Sequence, residues 1–299
     1  MKAAVVDAVG AGFKVSEVDL AQPAGREVLM DVRASGLCHT DLTIATQDMG
    51  VFRMPVLCGH EIAGVVASAG PQVTEFQAGE RVAACLVQSC GTCAVCLAGR
   101  PYQCPRGATL VRSADQAPRI TRAGAPVTQA FGLGGFAQQA LRHENQLVKI
   151  PCRDAVPASS PAWLRKARRF SATDVINSAT VSPVEAVRDL LPTGVDGVFD
   201  FVGLSEVTTQ ALNMLAVGGT LYLVPVCSPD SQVTVNLVDA VLKQPRVVGV
   251  NTGSTNFKRD VPLYSQLYLD GRFELDALLS AEINLDQMNP VTSSSPTLM

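Results

Sequence analysis

Cys38-His39-Thr40-Asp41 and Gly59-His60-Glu61 are the two short stretches around which this 299-residue chain is organised. A thiolate and an imidazole are ligands that a borderline-soft ion such as zinc prefers. The hydroxyl of Thr40 and the carboxyl of Asp41 stand beside the thiol, where a proton relay and a hydrogen-bonding partner of the ligands are needed. The two stretches therefore predict most of a catalytic metal site.

The sequence around these stretches predicts short strands. The strands predicted are Lys2–Asp7, Lys14–Val18, Val28–Ala34 and Ile62–Ser68. They are rich in β-forming residues and are separated by Gly/Pro turns. Between them, Thr40 or Asp41 is expected to cap a short helix. This largely all-β pattern is typical of a compact barrel-like domain.

A second cluster contains four of the nine cysteines: Cys90, Cys93, Cys96 and Cys104. Two successive C-x2-C spacings let one tight loop, which Gly91 permits, present three thiolates to one ion, and Cys104 completes a tetrahedral shell. Such a closed shell leaves no position for substrate, so its zinc is structural. An iron–sulfur cluster has similar spacing, and four unrelated buried thiols are the alternative without a metal.

Composition narrows the possible functions. A hydrophobic content of 47% and a length of 299 residues are enough for two domains with their own cores. The net charge of −3 gives no reason to expect a nucleic-acid or anionic-membrane partner. No apolar run approaches the length of a membrane span, and the N-terminus lacks a signal-peptide pattern. The cytoplasm is therefore the expected location.

The chain resembles the medium-chain zinc-dependent alcohol dehydrogenases. The motifs that carry the resemblance are Gly36–Asp41, Gly59–Glu61, Gly79–Val82, the four-cysteine cluster, Gly134–Ala137 and Leu147–Pro151. The likeness resumes from about Leu164 to about Asn289. It disfavours both the iron–sulfur alternative and a zinc-free reductase of the wider family.

The resemblance implies two zinc sites. Cys38 and His60 would ligate a catalytic zinc, Glu61 would lie behind the metal as an occasional or alternate ligand, and Asp41 would orient the His60 ring. The structural zinc would be held by Cys90, Cys93, Cys96 and Cys104.

The resemblance also implies a route for the alcohol proton and a place for the cofactor. Thr40 would pass the proton outward, and His39 would face the cofactor pyrophosphate. Val202, Gly203 and Val224 would line the nicotinamide side.

The second half of the chain alternates strands and helices, which predicts βαβ units and a parallel sheet. The strands expected are Ala172–Asn177, Gly197–Gly203, Gly219–Val224 and Val247–Val250, and the helices are Trp163–Phe170, Val184–Leu191 and Val207–Leu215. The expected fold class is therefore α/β with an all-β N-terminal domain. The resemblance implies that the first domain is a GroES-like barrel and that the second is an incomplete Rossmann-like, doubly wound parallel sheet.

A block of the nucleotide-binding domain is missing. In the family, Pro151 would be followed by a strand with a Gly-rich turn and by a strand ending in an acidic residue. Here a Pro/Ser-rich segment follows instead, and about two βα units, on the order of 60 residues, are absent. The cysteine that completes the catalytic zinc shell belongs to that block. Cys152 is either its substitute or a chance thiol.

These observations predict the domain boundaries. The expected divisions are a catalytic domain over 1–151 with the zinc lobe at about 85–105, an irregular junction over 152–163, a partial Rossmann domain over 164–289 and an irregular tail over 290–299. With two central strands gone, either Val175–Asn177 closes against Val198–Val202, or an apolar strand edge is exposed.

Gly132–Ala137 matches the dinucleotide fingerprint G-x-G-x-x-A, but it follows no buried strand and is expected to lead into another strand. We therefore do not expect it to bind a dinucleotide.

Two functions remain. The first is a zinc-dependent dehydrogenase that transfers hydride between a small alcohol or aldehyde and NAD or NADP, impaired by the missing block, and a homo-oligomer if intact. The second is a non-catalytic zinc-binding paralogue or splice remnant of such an enzyme.

Overall fold

The structure is a computed structural model that describes residues 1–113, 115–151, 168, 170–228, 230–278 and 282–289. The described residues form two compact units, one with residues from 1–161 and 255–299 and the other with residues from 162–254. In the part of the chain that the structure describes, no helix is both long enough and apolar enough to cross a lipid bilayer.

The first unit contains three sheets of short strands. An antiparallel five-stranded sheet has the spatial order β11 (Gln139–His143), β4 (Glu27–Gly36), β6 (Glu61–Ala69), β7 (Arg81–Ala84) and β12 (Leu147–Lys149). A four-stranded sheet has the order β10 (Thr128–Gln129), β5 (Val56–Leu57), β1 (Lys2–Val6) and β2 (Lys14–Glu17). The third sheet joins β3 (Asp19–Leu20), β8 (Ile120–Arg122) and β9 (Ala125–Pro126). The predicted β-rich domain is confirmed.

Two hydrophobic clusters hold these sheets. One is built on β1 and β5, where Ala3, Val5 and Leu57 are fully buried. The other is built on β4 and β6, where Met30 is also fully buried. Side chains of β6 alternate between buried and more exposed positions, which is the period that a half-buried strand requires.

Helix α1 (His39–Thr46) begins at Cys38, which is its N-cap residue. The prediction that Thr40 or Asp41 caps this helix is therefore wrong in position. Asp41 lies in the first turn, and its carboxylate accepts a hydrogen bond from the backbone N–H of Cys38 at 3.1 Å. A carboxylate near a helix N-terminus satisfies an otherwise unpaired donor and interacts favourably with the helix dipole.

The glycine-rich run 132–137 leads from a single 3-10 turn (Ala130–Gly132) towards β11, and no helix follows it. The expectation that this run leads into another strand is confirmed. Its glycines serve close packing instead: a Cβ on Gly134 would lie 3.0 Å from the Leu57 side chain. The short helix α2 (Ala94–Leu97) lies in the cysteine lobe.

The second unit is a three-stranded parallel sheet in the order β13 (Val195–Asp200), β14 (Leu215–Leu223) and β15 (Arg246–Gly249). Its helices are α3 (Pro183–Leu190), α4 (Ser205–Met214) and α5 (Leu237–Lys243). The βα alternation is confirmed. The strand predicted over 172–177 is wrong, because those residues form turns and irregular backbone. Thr173, Val175 and Ile176 favour strands, but none of the described strands pairs with this segment.

Strand β13 is shorter and more exposed than predicted. It ends at Asp200, because the Asp200 side chain accepts hydrogen bonds from the backbone N–H groups of Val202 and Gly203 and turns the chain. Burial on both faces was the expectation, but Phe199 is 59% exposed and Phe201 is 71% exposed. Within the described residues, β13 pairs only with β14, so the second of the two expected outcomes, an exposed apolar edge, is the one observed.

Residues 255–289 lie in the first unit, whereas the sequence assigns them to the nucleotide-binding domain. Helix α6 (Phe257–Leu269) inserts Phe257 beside Cys85 and Val148. Met288 is buried in the β1–β5 cluster, and the Asn289 side chain accepts a hydrogen bond from the Phe13 backbone at 2.8 Å. The favourable burial of the Phe257 and Met288 side chains in the first unit explains why residues 255–289 lie there. Cys152, the junction 152–163, the tail 290–299 and, except for two residues, the helix predicted over 163–170 lie outside the described residues.

Candidate metal centres

Asp41 organises the first candidate site. Its carboxylate is completely buried and accepts three hydrogen bonds: from the backbone of Cys38, from the backbone of Gly59 at 2.9 Å and from the His60 ring at 3.2 Å. The start of α1 and the turn before β6 are therefore joined through one side chain. Gly59 has a φ of +90°, and a Cβ there would lie 2.5 Å from the Phe136 backbone nitrogen, so the turn requires glycine.

The hydrogen bond from Asp41 fixes the orientation of His60. An ionised carboxylate only accepts hydrogen bonds, so Nδ1 of His60 donates and Nε2 is left as a metal ligand. The imidazole is buried, which disfavours its charged form. Hydrogen bonds to Asp41 and to Cys38 outweigh this burial and raise the pKa of His60 to about 10. The Asp41 carboxylate and the Cys38 sulfur thus both favour the charged form of the His60 ring.

Cys38, His60 and Glu61 bring their ligand atoms within 4.8 Å of one another. Desolvation raises the pKa of the Glu61 carboxyl, and the neighbouring His60 charge opposes that shift. A thiolate, an imidazole and a carboxylate fit zinc, whereas calcium and magnesium prefer oxygen ligands alone. The donor set therefore fits the catalytic zinc that the sequence predicts, with Glu61 as a third protein ligand.

Polar and aromatic groups surround this ligand set. The Thr40 hydroxyl oxygen lies 3.7 Å from Cys38 Sγ. His39 is exposed, and its ring Nδ1 lies 3.4 Å from the Thr43 hydroxyl. Phe131 packs edge-on against the His60 ring with centroids 5.6 Å apart. The ligand set is therefore surrounded by the Thr40 hydroxyl, the His39 imidazole and the Phe131 ring, and the site is partly apolar.

The second candidate site is the four-cysteine lobe, where all four sulfur atoms lie within 4.8 Å of one another. Cys93 Sγ lies 3.4 Å from Cys96 Sγ and 3.9 Å from Cys104 Sγ. Tetrahedral zinc with Zn–S bonds of about 2.3 Å spaces its sulfur atoms by about 3.8 Å. The backbone N–H groups of Cys90 and Arg106 donate to Cys104 Sγ at 3.3 and 3.4 Å. The lobe thus has the spacing of a structural zinc site.

The acidity of the lobe thiols agrees with this assignment. Hydrogen bonds from the backbone, that of Thr92 first, lower the pKa of Cys90 to about 5. Desolvation and the neighbouring Cys93 sulfur raise the pKa of Cys96 to about 12. Thiolates this close together repel one another, and a bound zinc ion would neutralise them.

The residues expected to line the nicotinamide lie at the carboxyl ends of β13 and β14, where ligands of open parallel sheets bind. Val202 is 57% exposed, Gly203 is buried and Val224 is half-buried. Sequence reasoning missed Asp200, which is 3% exposed and also accepts a hydrogen bond from the Thr208 hydroxyl at 2.6 Å. An Asp just before a Gly-containing turn was the available signal.

Comparison with protein families gives two adjacent matches. A family model described as "Alcohol dehydrogenase GroES-like domain" matches residues 24–152. A second model, described as "Zinc-binding dehydrogenase", matches residues 151–267.

Individual proteins match over nearly the whole chain. The NDMA-dependent alcohol dehydrogenase of Amycolatopsis methanolica is 28% identical over 349 aligned positions, which cover 96% of this chain and 94% of the relative. Since 96% of 299 residues is about 287, about 60 of those positions have no counterpart in this chain.

Solved structures agree. An alcohol dehydrogenase zinc-binding domain protein from Burkholderia ambifaria has a TM-score of 0.87 at 28% identity and covers 98% of this chain and 95% of that one. Benzyl alcohol dehydrogenase from Acinetobacter calcoaceticus has the same fold, with a TM-score of 0.85 at 24% identity and the same coverage.

The fold, the two ligand clusters and these matches define a zinc-dependent oxidoreductase of alcohols. The chain belongs to the medium-chain zinc-dependent alcohol dehydrogenase family. Zinc and NAD(P) are the cofactors of this family.

Proposed function

We propose that this chain carries a catalytic zinc on Cys38, His60 and Glu61 and is organised for hydride transfer between a small alcohol or aldehyde and NAD or NADP. The observation that carries the proposal is the convergence of these three ligand atoms within 4.8 Å. Three protein ligands and one open position are the pattern of a catalytic zinc site. Glu61 takes the place of the cysteine that the missing block would supply.

Zinc at this site supplies a Lewis acid that favours the alkoxide form of a bound alcohol. The residues of the chain orient the ligands, move the alcohol proton and exclude water. Asp41 holds His60 with Nε2 towards the ligand set. The Thr40 hydroxyl stands 3.7 Å from Cys38 Sγ, where it would relay the alcohol proton outward, accepting that proton as it donates its own hydroxyl proton towards solvent. Phe131 limits water on one side of the His60 ring.

The lobe has a separate role. Cys90, Cys93, Cys96 and Cys104 fill all four positions of a tetrahedral ion, so this site takes no substrate and stabilises the fold.

The elements that would bind the cofactor are the least complete part of the proposed active site. A dinucleotide pyrophosphate is usually held by a Gly-rich turn at a helix N-terminus. In the described part of the second unit, the turn between β13 and α4 contains a single glycine, Gly203, and the turn after β14 leads into irregular backbone. The about 60 unmatched positions in the alignment with the Amycolatopsis enzyme agree in size with the missing block. We therefore propose that NAD(P) binds more weakly here than in an intact dehydrogenase.

The second candidate function is that of a non-catalytic zinc-binding remnant. The exposed apolar residues of β13 and of the turn after β13 favour this second function. Among the described residues one edge of β13 has no partner strand, and an uncovered apolar edge is unusual in a parallel sheet. It predicts zinc in the four-cysteine lobe, no measurable NAD(P) binding and a tendency to aggregate.

A calorimetric titration of the zinc-loaded full chain with NADH, followed by an alcohol oxidation assay, tests the proposal. Saturable binding with slow turnover that is lost in Cys38→Ala supports a working enzyme. The matched control is Cys85→Ala, since Cys85 packs in the apolar cluster of Val148 and Phe257 and is not a predicted ligand. No NADH binding by a folded sample would support the remnant instead. The preferred alcohol class, the choice between NAD and NADP, the cytoplasmic location and the homo-oligomer expected from the sequence stay predictions.

A further inference from the structure

Phe131 has a backbone conformation that is unusual for its side chain. Its φ is +54° and its ψ is +20°, and Gly132, which follows it, has a φ of +69°. The backbone N–H of Leu133 donates to the Ala130 carbonyl at 2.9 Å, so residues 130–133 form a turn with left-handed backbone at both central positions. Turns of this kind normally have Gly, Asn or Asp at these positions, because a bulky side chain is strained there. A phenylalanine at the first central position therefore needs a physical explanation.

Two glutamine side chains hold this turn. Nε2 of Gln88 and Nε2 of Gln146 each donate to the Phe131 carbonyl at 3.0 Å. Gln146 is fully buried, and its Nε2 also donates to the Cys85 carbonyl at 3.3 Å. The Cys85 backbone N–H donates in return to the Gln146 carbonyl at 2.9 Å, which ties Gln146 to the residue that follows β7. The Phe131 carbonyl thus receives two hydrogen bonds that keep the strained turn in place.

The ring of Phe131 lies against the candidate ligand His60. The centroids of the two rings are 5.6 Å apart, and their planes are inclined at 69°. The ring of Phe52 also packs on Phe131, with centroids 5.2 Å apart and planes at 80°. Phe131 contacts both hydrophobic clusters of the first unit. It therefore connects the core of this unit to a candidate metal ligand.

The hydrogen bond to Asp41 does not by itself fix the His60 ring. It holds Nδ1 at one point, 3.2 Å from the carboxylate, and leaves the plane of the ring free to turn about that contact. The Phe131 ring packs against the imidazole and restricts this rotation. The two contacts together therefore set the direction of Nε2. A metal ligand needs such support, because the groups around it hold it in the geometry that the ion requires.

We propose that Gln88 and Gln146 are positioning residues of the Cys38–His60–Glu61 site. By binding the Phe131 carbonyl they keep Phe131 in its left-handed conformation, in which its ring fixes the plane of the His60 ring. Strained backbone persists only where the surrounding structure holds it, and it is concentrated at functional sites. The inference rests on the proposed catalytic zinc only in its last step, in which an oriented Nε2 binds the metal more tightly. A purely structural role of the glutamines would stabilise the fold and leave the His60 ring unaffected.

Nuclear magnetic resonance of the zinc-loaded full chain, labelled with carbon-13 in its three histidine rings, tests this arrangement. The His60 ring protons, identified by their loss in His60→Gln, sense the Phe131 ring whether or not zinc is bound. Phe131→Leu removes that ring and sets the full size of the expected shift. Gln88→Met and Gln146→Met should each move the His60 signal towards its value in Phe131→Leu, because the turn relaxes. An unchanged signal from the exposed His39 shows that each variant is folded.

Chelator competition measures the consequence for the metal. The Gln88→Met/Gln146→Met double variant should bind zinc at the Cys38–His60–Glu61 site about 10-fold more weakly than the wild type. Gln146→Met should cause no further loss when it is added to Phe131→Leu, because residues that act through one another are not additive.

Gln129→Met is the matched control. The Gln129 amide also donates to two backbone carbonyls, those of Leu133 at 2.8 Å and of Leu141 at 3.2 Å, and neither belongs to Phe131. This variant should lower the Tm as Gln146→Met does, but keep the wild-type His60 signal and zinc affinity. A His60 signal that stays in place in the double variant, or that moves equally in Gln129→Met, would overturn the proposal. A signal that moves as expected in a chain with no zinc on His60 would support the positioning of the ring and contradict the proposed function instead.

Discussion

At the scale of single residues, one buried carboxylate connects two parts of the chain that are 18 positions apart. Asp41 receives hydrogen bonds from Cys38, Gly59 and His60, and each bond to a charged group contributes about 1.5–3 kcal/mol. The sequence motif already suggested that Asp41 orients His60. It did not reveal the bonds to the two backbone groups, because these depend on a turn that only Gly59 permits.

Asp41→Asn keeps the size of the side chain but removes its charge. The amide either turns its NH2 group towards one of the three donors or loses a bond, so His60 loses its fixed orientation. We expect zinc affinity at the Cys38–His60–Glu61 site to fall about 10- to 100-fold, measured by competition with a chelator. Asp48→Asn, in an exposed turn, should leave zinc affinity unchanged. Equal affinity in Asp41→Asn and wild type would refute the role given to Asp41.

A pH dependence of stability is expected from His143. Burial, and then the charge of Arg26, lower its pKa to about 4, while the unfolded chain keeps a value near 6.5. Below pH 6.5 the unfolded state therefore binds the proton more readily, and stability falls as the pH drops towards 4. The ring is half-exposed and partly screened, so we expect a loss of about 1 kcal/mol between pH 7 and pH 5.

Urea unfolding of the wild type and of His143→Asn at pH 7 and pH 5 measures this contribution. The asparagine variant should lose less stability than the wild type by that amount. The control is His39→Asn, which replaces an exposed ring and should retain the wild-type pH dependence. An identical pH dependence in all three proteins would show that His143 does not titrate as described.

At the scale of elements, runs of β-forming residues between Gly/Pro turns predicted most of the longer strands, because tertiary contacts agree with these local preferences. Strand β6, for example, was expected over 62–68 and extends over Glu61–Ala69. Prediction failed at 172–177 and at the end of β13. Both depend on neighbours: a strand needs a partner, and Asp200 ends β13 by bonding to Val202 and Gly203. The amino-acid composition of a segment shows neither which strand will pair with it nor which side chain will end it.

The exposed edge of β13 predicts self-association of the second unit. Phe201 is 71% exposed and stacks at 6.5 Å on Phe199, which in turn stacks on Tyr222. Phe201→Lys places a charge beside the unpaired edge, and natural proteins protect edges with lysine. We expect a several-fold slower rise of light scattering at 37 °C with unchanged zinc content. Leu97→Lys, an exposed residue of the cysteine lobe, should not slow aggregation. Equal rates would show that β13 is not the aggregating edge.

At the scale of the whole molecule, the described residues form two compact units, and the domain boundaries expected from the sequence stay predictions. Residues 255–289 return to the first unit through Phe257 and Met288. A pattern of apolar residues on a helix indicates that one face is buried, but it does not identify the surface that buries it. The ligand clusters were predictable, in contrast, because metal ligands recur at spacings set by one small ion.

Because both ligand clusters lie in the first unit, zinc removal should separate their roles. In the proposed arrangement, the Cys38–His60–Glu61 site would leave one metal position open, so its zinc would exchange readily. The lobe would enclose its zinc with four sulfur atoms, and loss of that ion would remove binding energy that contributes directly to folding. Treatment with a chromogenic chelator should therefore release zinc in two phases. The fast phase should leave the circular dichroism spectrum unchanged, and the slow phase should coincide with loss of tertiary structure.

Two variants assign the phases. His60→Ala should abolish the fast phase alone, because the lobe does not contact His60 through any of its ligands. Cys93→Ser should abolish the slow phase and lower the Tm even before the chelator is added, since the lobe then has three sulfur ligands. Unfolding during the fast phase in the wild type would mean that the Cys38–His60–Glu61 zinc also supports the fold. A catalytic site that lacks the cysteine as its third ligand and uses Glu61 in its place should instead lose its metal without structural change, because β6 and α1 remain joined by Asp41.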